Sequence, residues 1–203
     1  MMRSLAGQTL LIATGNQGKL AEFSALMRPF GVHLVSLKDL GLSEPEETAT
    51  TFKANARIKA RAGAEASGLP TLADDSGLIV EALGGAPGPF TADWAEAANG
   101  RDFLCAMRKV WALLETLRAP EPRLASFHCT LVLAWPDGAE CSVVGEVKGQ
   151  IVWPPWGQVG HGFDPVFRPE GQSLTFAEMT EASKNLISHR AVAVRALQEG
   201  CFT

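Results

Sequence analysis

The segment Thr14-Gly15-Asn16-Gln17-Gly18-Lys19 contains the residue types that hold a polyphosphate. Its glycines let backbone N–H groups face an anion, a helix after the segment would add the positive end of its dipole, and Lys19 supplies a full charge. The spacing is not that of a Walker loop, since Leu20 stands where the magnesium-binding Ser or Thr would be, and it is not GxGxxG. The residues predict a phosphate-binding loop, with a tight turn carrying an exposed lysine as the alternative.

A pair of adjacent carboxylates occurs in Asp74-Asp75-Ser76-Gly77, directly after a short predicted strand at 71–73. Ligands of open α/β sheets bind outside the carboxyl ends of strands, so two acids at this place indicate a metal site or a general base. Asp and Ser also favour turns and helix caps, which is the alternative. If both acids are buried, they need a nearby cation in order to be ionised together.

Further polar side chains surround a predicted helix at 51–67. Asn55 and Lys59 are four residues apart, so they share one face of that helix, and Glu46 and Glu47 lie just upstream. These residues form a candidate polar cluster, with a solvated helix surface as the alternative.

Near the C-terminus, the segment from Gly160 to Pro165 places the rings of His161 and Phe163 in a loop. It is suited to clasping a flat base, with a hydrophobic turn as the alternative. Lys184 and the run Ser188-His189-Arg190 put three potential cations at the start of a helix. Positive charge there opposes the helix dipole, which hints at an anionic or carbonyl partner.

The remaining pattern predicts alternating strands and helices, hence an α/β fold with a mixed sheet. Strands are expected at 10–13, 32–37, 71–73, 127–135, 141–147 and 150–153. Helices are expected from about Leu20 to Met27, at 51–67, at 101–118 and at 189–198, with 154–165 as a loop.

The 203 residues are 46% apolar and 20% charged, which is typical of a single globular domain, here taken as 1–203. The net charge of −4 and the lack of a basic run argue against a nucleic-acid or membrane partner. The four cysteines are widely spaced without a CxxC pair, so free thiols are expected. Neither a signal-peptide core nor a membrane span is found, and a cytoplasmic location is expected.

The order of these segments resembles that of the inosine triphosphate pyrophosphatase family, the house-cleaning pyrophosphatases of non-standard purine nucleotides. The similarity covers nearly the whole chain, and ADDSGL followed by SHR is a specific combination. The matching segments are TGNQGK at 14–19, EET at 46–48, TFKANARIKA at 51–60, ADDSGLIVEALGGAPGP at 73–89, GFDPVFRPEG at 162–171, TFAEM at 175–179 and KNLISHR at 184–190.

The resemblance implies an elongated α/β domain with a central mixed sheet, flanking helices and two lobes around a nucleotide cleft, which is usually a homodimer. It also implies Mg²⁺-assisted attack of water on the α-phosphorus of ITP, dITP or XTP, giving the monophosphate and pyrophosphate. A 6-oxo purine would accept hydrogen bonds where adenine donates them, so donors from a base-reading segment would reject adenine.

The resemblance assigns a role to each matching residue. Asp75 would be the general base and a metal ligand together with Glu47, for which Glu46 is the substitute. Phosphate contacts would come from residues 14–19 and Lys59, a nucleotide contact from Ser76, and base contacts from His161, Gly162, Phe163, Asp164, Lys184, His189 and Arg190. The sequence departs from the family at His161, where an aromatic ring is common, and at Asp93, where many relatives have arginine.

Two rival functions stay open at the level of sequence. One is a related pyrophosphatase for modified pyrimidines or methylated bases, against which ADDSG and SHR in this order argue. The other is a nucleotide-binding protein without turnover, against which the joint presence of Lys19, Glu47, Lys59 and Asp75 argues.

Overall fold

A six-stranded sheet with the strand order β2-β1-β3-β6-β7-β8 forms the centre of the computed structural model, which describes residues 3–98 and 100–201. β1 is parallel to β2 and β3, and β7 is antiparallel to β8, so the sheet is mixed and the predicted α/β class is confirmed. The strands are β1 Thr9–Ile12, β2 His33–Ser36, β3 Thr71–Val80, β6 Leu124–Ala134, β7 Glu140–Ile151 and β8 Phe167–Pro169, and a separate pair is formed by β4 Glu96–Ala97 and β5 Gly100–Arg101.

The helices begin where the sequence supplies a capping side chain. Asn16 accepts a hydrogen bond from the backbone N–H of Lys19 at the start of α1, and Thr51 accepts one from Ala54 at the start of α2. α2 ends at Gly68, whose φ of 69° is in the left-handed region. The α-helices are α1 Gln17–Met27, α2 Phe52–Ser67, α3 Phe103–Thr116, α4 Glu181–Ile187 and α5 His189–Cys201.

Two strand predictions were wrong in extent. The strand predicted to stop before Asp74 continues to Val80, because Ser76 and Gly77 lie within β3 rather than in a turn. The separate strands predicted at 141–147 and 150–153 are one strand, β7. Gly149 looks like a break in sequence, but β8 passes so close that a Cβ there would overlap the backbone of Arg168. The short elements α4, β4, β5 and β8 were not predicted.

Contacts divide the chain into two compact units. Unit 1 extends to Asp75 and also includes Cys129–Gly145 and the residues from His189 onward; unit 2 consists of Ser76–His128 and Glu146–Ser188. Unit 1 has one apolar cluster around Leu10, Phe23 and Leu72 and another around α2. The assignment of one domain to residues 1–203 stays a prediction.

Small residues bring α2 close to the sheet within unit 1. Its buried face contains Ala56, Ala60, Gly63 and Ala64. A Cβ placed on Gly63 would lie 2.7 Å from the Cγ2 atom of Thr71 in β3, so the glycine is needed for this approach. α2 therefore carries its polar side chains to short range of β3.

The expectation of four free thiols was wrong for one pair. Cys141 at the start of β7 and Cys201 at the end of α5 form a disulfide, with their Cα atoms 6.4 Å apart. Cys129 is a buried thiol and Cys105 an exposed one. The pairing joins positions 60 residues apart, and such a contact follows from the fold rather than from cysteine spacing. Within residues 3–98 and 100–201, no helix is long and apolar enough to cross a membrane.

Gly145 in β7 gives the first testable prediction. A Cβ at this buried position would overlap the carbonyl oxygen of His189 and the amide nitrogen of Ala193, both in the first turns of α5. Gly145→Ala should therefore lower the free energy of unfolding by about 1–3 kcal/mol, measured by urea denaturation, because backbone must move. Gly200→Ala in the same helix is the control: nothing lies within 4 Å of that Cβ, and the change should be neutral or stabilising. Equal effects of the two substitutions would contradict the close approach of α5 to β7.

Candidate active site

The adjacent carboxylates Asp74 and Asp75 extend to opposite sides of β3. Successive side chains of a strand alternate between its faces. Leu72 packs with the cluster that includes residues of α1 and α5, and Ala73 packs with the cluster that includes α2. Asp74 lies two residues after Leu72 and therefore on the same face of β3, and Asp75 shares the opposite face with Ala73. Both acids are buried, with 1% and 4% of their surfaces exposed. The side chains that contact the two acids therefore differ, although both carboxylates act on Lys59 through their charge.

On the α2 side, Asp75 meets the polar face of the helix. The side-chain amide of Asn55 donates to Asp75 Oδ2 at 3.0 Å. Lys59 is 1% exposed, and its ammonium donates to Glu47 and lies 3.8 Å from Glu44 Oε1. The predicted face of Asn55 and Lys59 is thus buried rather than solvated.

The charges around Asp75 raise its affinity for a proton. Burial, followed by the nearby carboxylate of Glu47, raises the pKa of Asp75 to about 6. Burial alone would lower the pKa of Lys59, but the carboxylates of Asp74 and Glu47 outweigh it, and this pKa is raised. Asp75 can consequently take up a proton near neutral pH next to a permanent cation, as a general base must.

On the other side of β3, Asp74 is surrounded by cations. Its Oδ2 atom lies 2.9 Å from Lys19 Nζ in α1 and 3.6 Å from Arg190 Nε in α5. Arg190 also donates from Nη1 to Glu22 Oε2 at 2.5 Å. Burial would raise the pKa of Asp74, but the positive charges of Lys19, Arg190 and Lys59 hold it below its ordinary value. Asp74 is therefore a permanent carboxylate.

The predicted phosphate loop connects β1 to α1. Thr14 is buried, and the positions from 15 to 18 are exposed at the helix N-terminus. The backbone N–H of Gly15 was expected to bind phosphate, but it donates a hydrogen bond to Glu44 Oε2 at 2.7 Å. A carboxylate of the protein itself therefore takes the place expected for a phosphate oxygen. Glu46 is exposed.

In unit 2, the predicted base-binding residues form a second group. Asp164 Oδ2 accepts hydrogen bonds from Lys184 Nζ at 2.7 Å and from the backbone N–H of His161 at 2.8 Å. The ring of Phe163 is fully buried and packs edge-on against Phe103, so it belongs to the core of unit 2. Ser76 follows Asp75 directly in β3.

The predicted group of cations is divided between two helices: Lys184 lies in the last turn of α4 rather than at the start of α5, where His189 and Arg190 lie. Lys184 and Arg190 also have internal partners that the sequence did not indicate. Asp164 pairs with Lys184, and Glu22 and Asp74 lie against Arg190. The positive charge there is offset by these carboxylates, and it is not by itself a sign of a ligand. Glu22 and Glu44 were missed; the only signal for Glu22 is its position three residues after Lys19 on α1.

Comparison with known proteins identifies the family of this chain. The profile of the Ham1 family matches residues 10–200. The chain belongs to the Ham1 family. It is 57% identical over 202 residues to the dITP/XTP pyrophosphatase of Ruegeria pomeroyi, covering 100% of this chain and 99% of the relative. It is 50% identical to that of Agrobacterium fabrum, covering 99% of each.

Solved Ham1 structures have the same fold. A HAM1 protein from Coxiella burnetii superposes with a TM-score of 0.85 at 36% identity, covering 95% of this chain and 97% of the other. A nucleoside-triphosphatase, dITP/XTP pyrophosphatase, from Mycobacterium abscessus gives a TM-score of 0.73 at 41% identity, covering 93% and 98%. The resemblance seen in the sequence motifs is thereby confirmed at the level of the family.

The raised pKa of Asp75 predicts a pH-dependent stability in metal-free buffer. An acid whose pKa is raised by folding contributes stability below its unfolded value of about 3.8, and this is lost as the pH rises through about 6. Asp75→Asn removes the buried charge, so the variant should exceed the parent Ham1 protein in free energy of unfolding by about 1–3 kcal/mol at pH 8. The difference should shrink at pH 4.5. A difference that is equal at both pH values would contradict the assignment.

Glu44 predicts a gain in anion affinity on substitution. Its carboxylate competes with a phosphate for the N–H of Gly15 and for Lys59, so Glu44→Gln should tighten the binding of inorganic triphosphate about tenfold, as expected when a charge-assisted contact of about 1–2 kcal/mol is relieved. The measurement is titration calorimetry with EDTA present. Glu46→Gln removes the same charge two residues away, whereas it is Glu44 that accepts the hydrogen bond from Gly15, so the Glu46 variant should show a smaller effect. If both variants bound triphosphate more tightly by the same factor, the effect would come from the change in net charge and not from the contact between Glu44 and Gly15.

Proposed function

We propose that this Ham1-family chain hydrolyses dITP, ITP and XTP to the corresponding monophosphate and pyrophosphate. The proposal is carried by the different surroundings of two neighbouring buried carboxylates. Asp75 accepts a hydrogen bond from Asn55, and burial and Glu47 raise its pKa, whereas Asp74 lies 2.9 Å from the ammonium of Lys19, which keeps it ionised. When the environments of two acids shift their pKa values in opposite directions, one acid is suited to act as a general base and the other to remain a fixed negative charge. The dITP/XTP pyrophosphatases that are 50% and 57% identical to this chain support the same activity.

In this mechanism Asp75 accepts the proton of the water that attacks the α-phosphorus. Asn55 orients the carboxylate through its hydrogen bond to Oδ2. The backbone N–H groups from Gly15 to Gly18 and the ammonium of Lys19 bind the phosphate chain, and Lys59 offsets the negative charge that builds on the leaving pyrophosphate. Glu44 must leave the N–H of Gly15 when phosphate binds there.

The residues around Asp75 fit a magnesium ion. Mg²⁺ is usually bound by one or two carboxylates together with substrate phosphates and waters. Glu47 and Asp75 supply such a pair, and their mutual repulsion, seen in the raised pKa of Asp75, would be relieved by a cation. Among the described residues no group of three His, Cys, Asp or Glu side chains assembles. When bound, the ion would stabilise negative charge on the phosphate oxygens.

Selectivity for the base is assigned to the start of α5. A donor from His189 would be satisfied by the 6-oxo group of hypoxanthine or xanthine and left unpaired by the amino group of adenine. Arg190 is buried against Glu22 and Asp74, so its position does not support the base contact that the resemblance assigns to it. The roles of Ser76, Lys184 and the segment 161–164 rest on the resemblance alone. The same holds for the homodimer and the cytoplasmic location, for which sedimentation and cell fractionation are the direct measurements.

The proposal is tested by the products and by the substrate preference. Purified protein with Mg²⁺ should release pyrophosphate, not orthophosphate, from ITP, dITP and XTP, with kcat/KM exceeding that for ATP by roughly 10⁴-fold. Asp75→Asn should lower kcat by about 10²–10⁴-fold through loss of the base while nucleotide binding is retained, and loss of a magnesium ligand at the same position would deepen the effect.

The matched control is Asp137→Asn, which changes an exposed carboxylate that is paired with Arg3. This variant should keep full activity. If ATP were hydrolysed as fast as ITP, or if orthophosphate were released, the proposal would be wrong and the protein would be a general triphosphatase. Binding without turnover in the parent protein would favour the non-catalytic rival.

A further inference from the structure

A single carboxylate oxygen in β3 serves two cations from different helices. Asp74 Oδ2 lies 2.9 Å from Lys19 Nζ and 3.6 Å from Arg190 Nε, and the Asp74 side chain is 0% exposed. Lys19 is partly exposed, at 16%, whereas Arg190 is buried at 3%. The arginine therefore lies on the buried side of the carboxylate, and the lysine is the cation that still reaches solvent.

The arginine is fixed by a second carboxylate. Arg190 Nη1 donates to Glu22 Oε2 at 2.5 Å, and Glu22 lies three residues after Lys19 on α1. Lys19, Asp74, Arg190 and Glu22 thus form an alternating series of charges that joins α1, β3 and α5 within unit 1. Such a series leaves Asp74 little freedom to turn.

We propose that Asp74, which is held in place by Arg190, is a positioning residue that fixes the ammonium of Lys19 at the phosphate-binding loop. The inference rests on the proposed function, because it concerns how the same site holds its triphosphate. It gives Asp74 a task different from that of Asp75: Asp74 neither binds the metal nor accepts the proton.

The physical reason lies in the lysine side chain. Lys has a flexible four-carbon stem and a compact charge, so its ammonium has no fixed position unless a partner holds it. Misplacing a binding group by about 1 Å can reduce turnover about 10²-fold. Asp74 is also a poor candidate for a metal ligand, since its Oδ2 already faces two cations and it extends to the side of β3 opposite to Asn55 and Asp75.

A double-mutant cycle with Lys19→Met tests the inference. Binding of inorganic triphosphate is measured by calorimetry without metal, and kcat/KM for ITP is measured with Mg²⁺. Asp74→Asn should weaken both by about 10²-fold when Lys19 is present. In the Lys19→Met background the same substitution should change them by no more than about twofold, which is the scatter between uncoupled sites.

A role of Asp74 that does not pass through Lys19, whether as metal ligand, base or structural support, would give the same loss in both backgrounds, and this result would overturn the inference. Glu140→Gln is the matched control, since Glu140 also holds two cations, Arg57 and Arg61, elsewhere in unit 1. It should leave triphosphate affinity unchanged in both backgrounds.

If Asp74→Asn does not fold, the same cycle is run with Asp74→Glu, which keeps the charge and moves the carboxylate by one methylene. Failure of the parent protein to hydrolyse ITP would contradict the proposed function only. The triphosphate-binding cycle would still decide whether Asp74 acts through Lys19, because it requires no turnover.

Discussion

Strand β3 places consecutive carboxylates on its two faces, and the charges of unit 1 are arranged around this alternation. An unpaired buried carboxylate would be protonated or would destabilise the fold. Asp74 avoids this through Lys19 and Arg190, and Asp75 through Lys59 together with the hydrogen bond from Asn55. Each helix that contacts β3 in unit 1 supplies a polar partner as well as apolar packing. The positions of these helices are therefore coupled to the ionisation of two residues.

Close backbone approach makes this coupling possible. Short-range contacts between a helix side chain and a strand side chain require that the elements pack without large residues between them. Gly63 serves this purpose for α2 against β3, and Gly145 does so for α5 against β7. Neither glycine lies in a turn or has a positive φ, so their role is space rather than backbone conformation. The glycines thus leave out apolar side chains at these contacts, and this allows the polar groups of neighbouring elements to lie close together.

Much of the fold could be predicted from local pattern, because caps and apolar periodicity act over a few residues. α2 begins next to Thr51, as expected, whereas α1 begins at Gln17, three residues before the expected Leu20, because Asn16 caps it. The extent of β3 could not be predicted in this way, since Asp-Asp-Ser-Gly has the composition of a turn, yet it lies in a strand that is paired with β1 and β6. Glu22 and Glu44 were missed for the same reason: their partners Arg190 and Gly15 are 168 and 29 residues away. The cysteine pair is a third case of long-range contact.

In the proposed mechanism, the different roles of Asp74 and Asp75 follow from their different proton affinities. A general base must be ionised at the working pH and yet bind a proton strongly enough to draw it from water, and these demands are best balanced when its pKa is near the ambient pH. Asp74 meets only the first, because Lys19 and Arg190 would have to be left without a counter-charge each time it took a proton. Asp75 meets both: burial and Glu47 raise its pKa to about 6, and Lys59 keeps an ionised state accessible. If Lys19 contacted Asp75 instead of Asp74, its positive charge would lower the pKa of Asp75 and remove the general base. Lys19 would then also lack a partner that stays ionised. The order of partners along β3, rather than the presence of two aspartates, is what suits the strand to this chemistry.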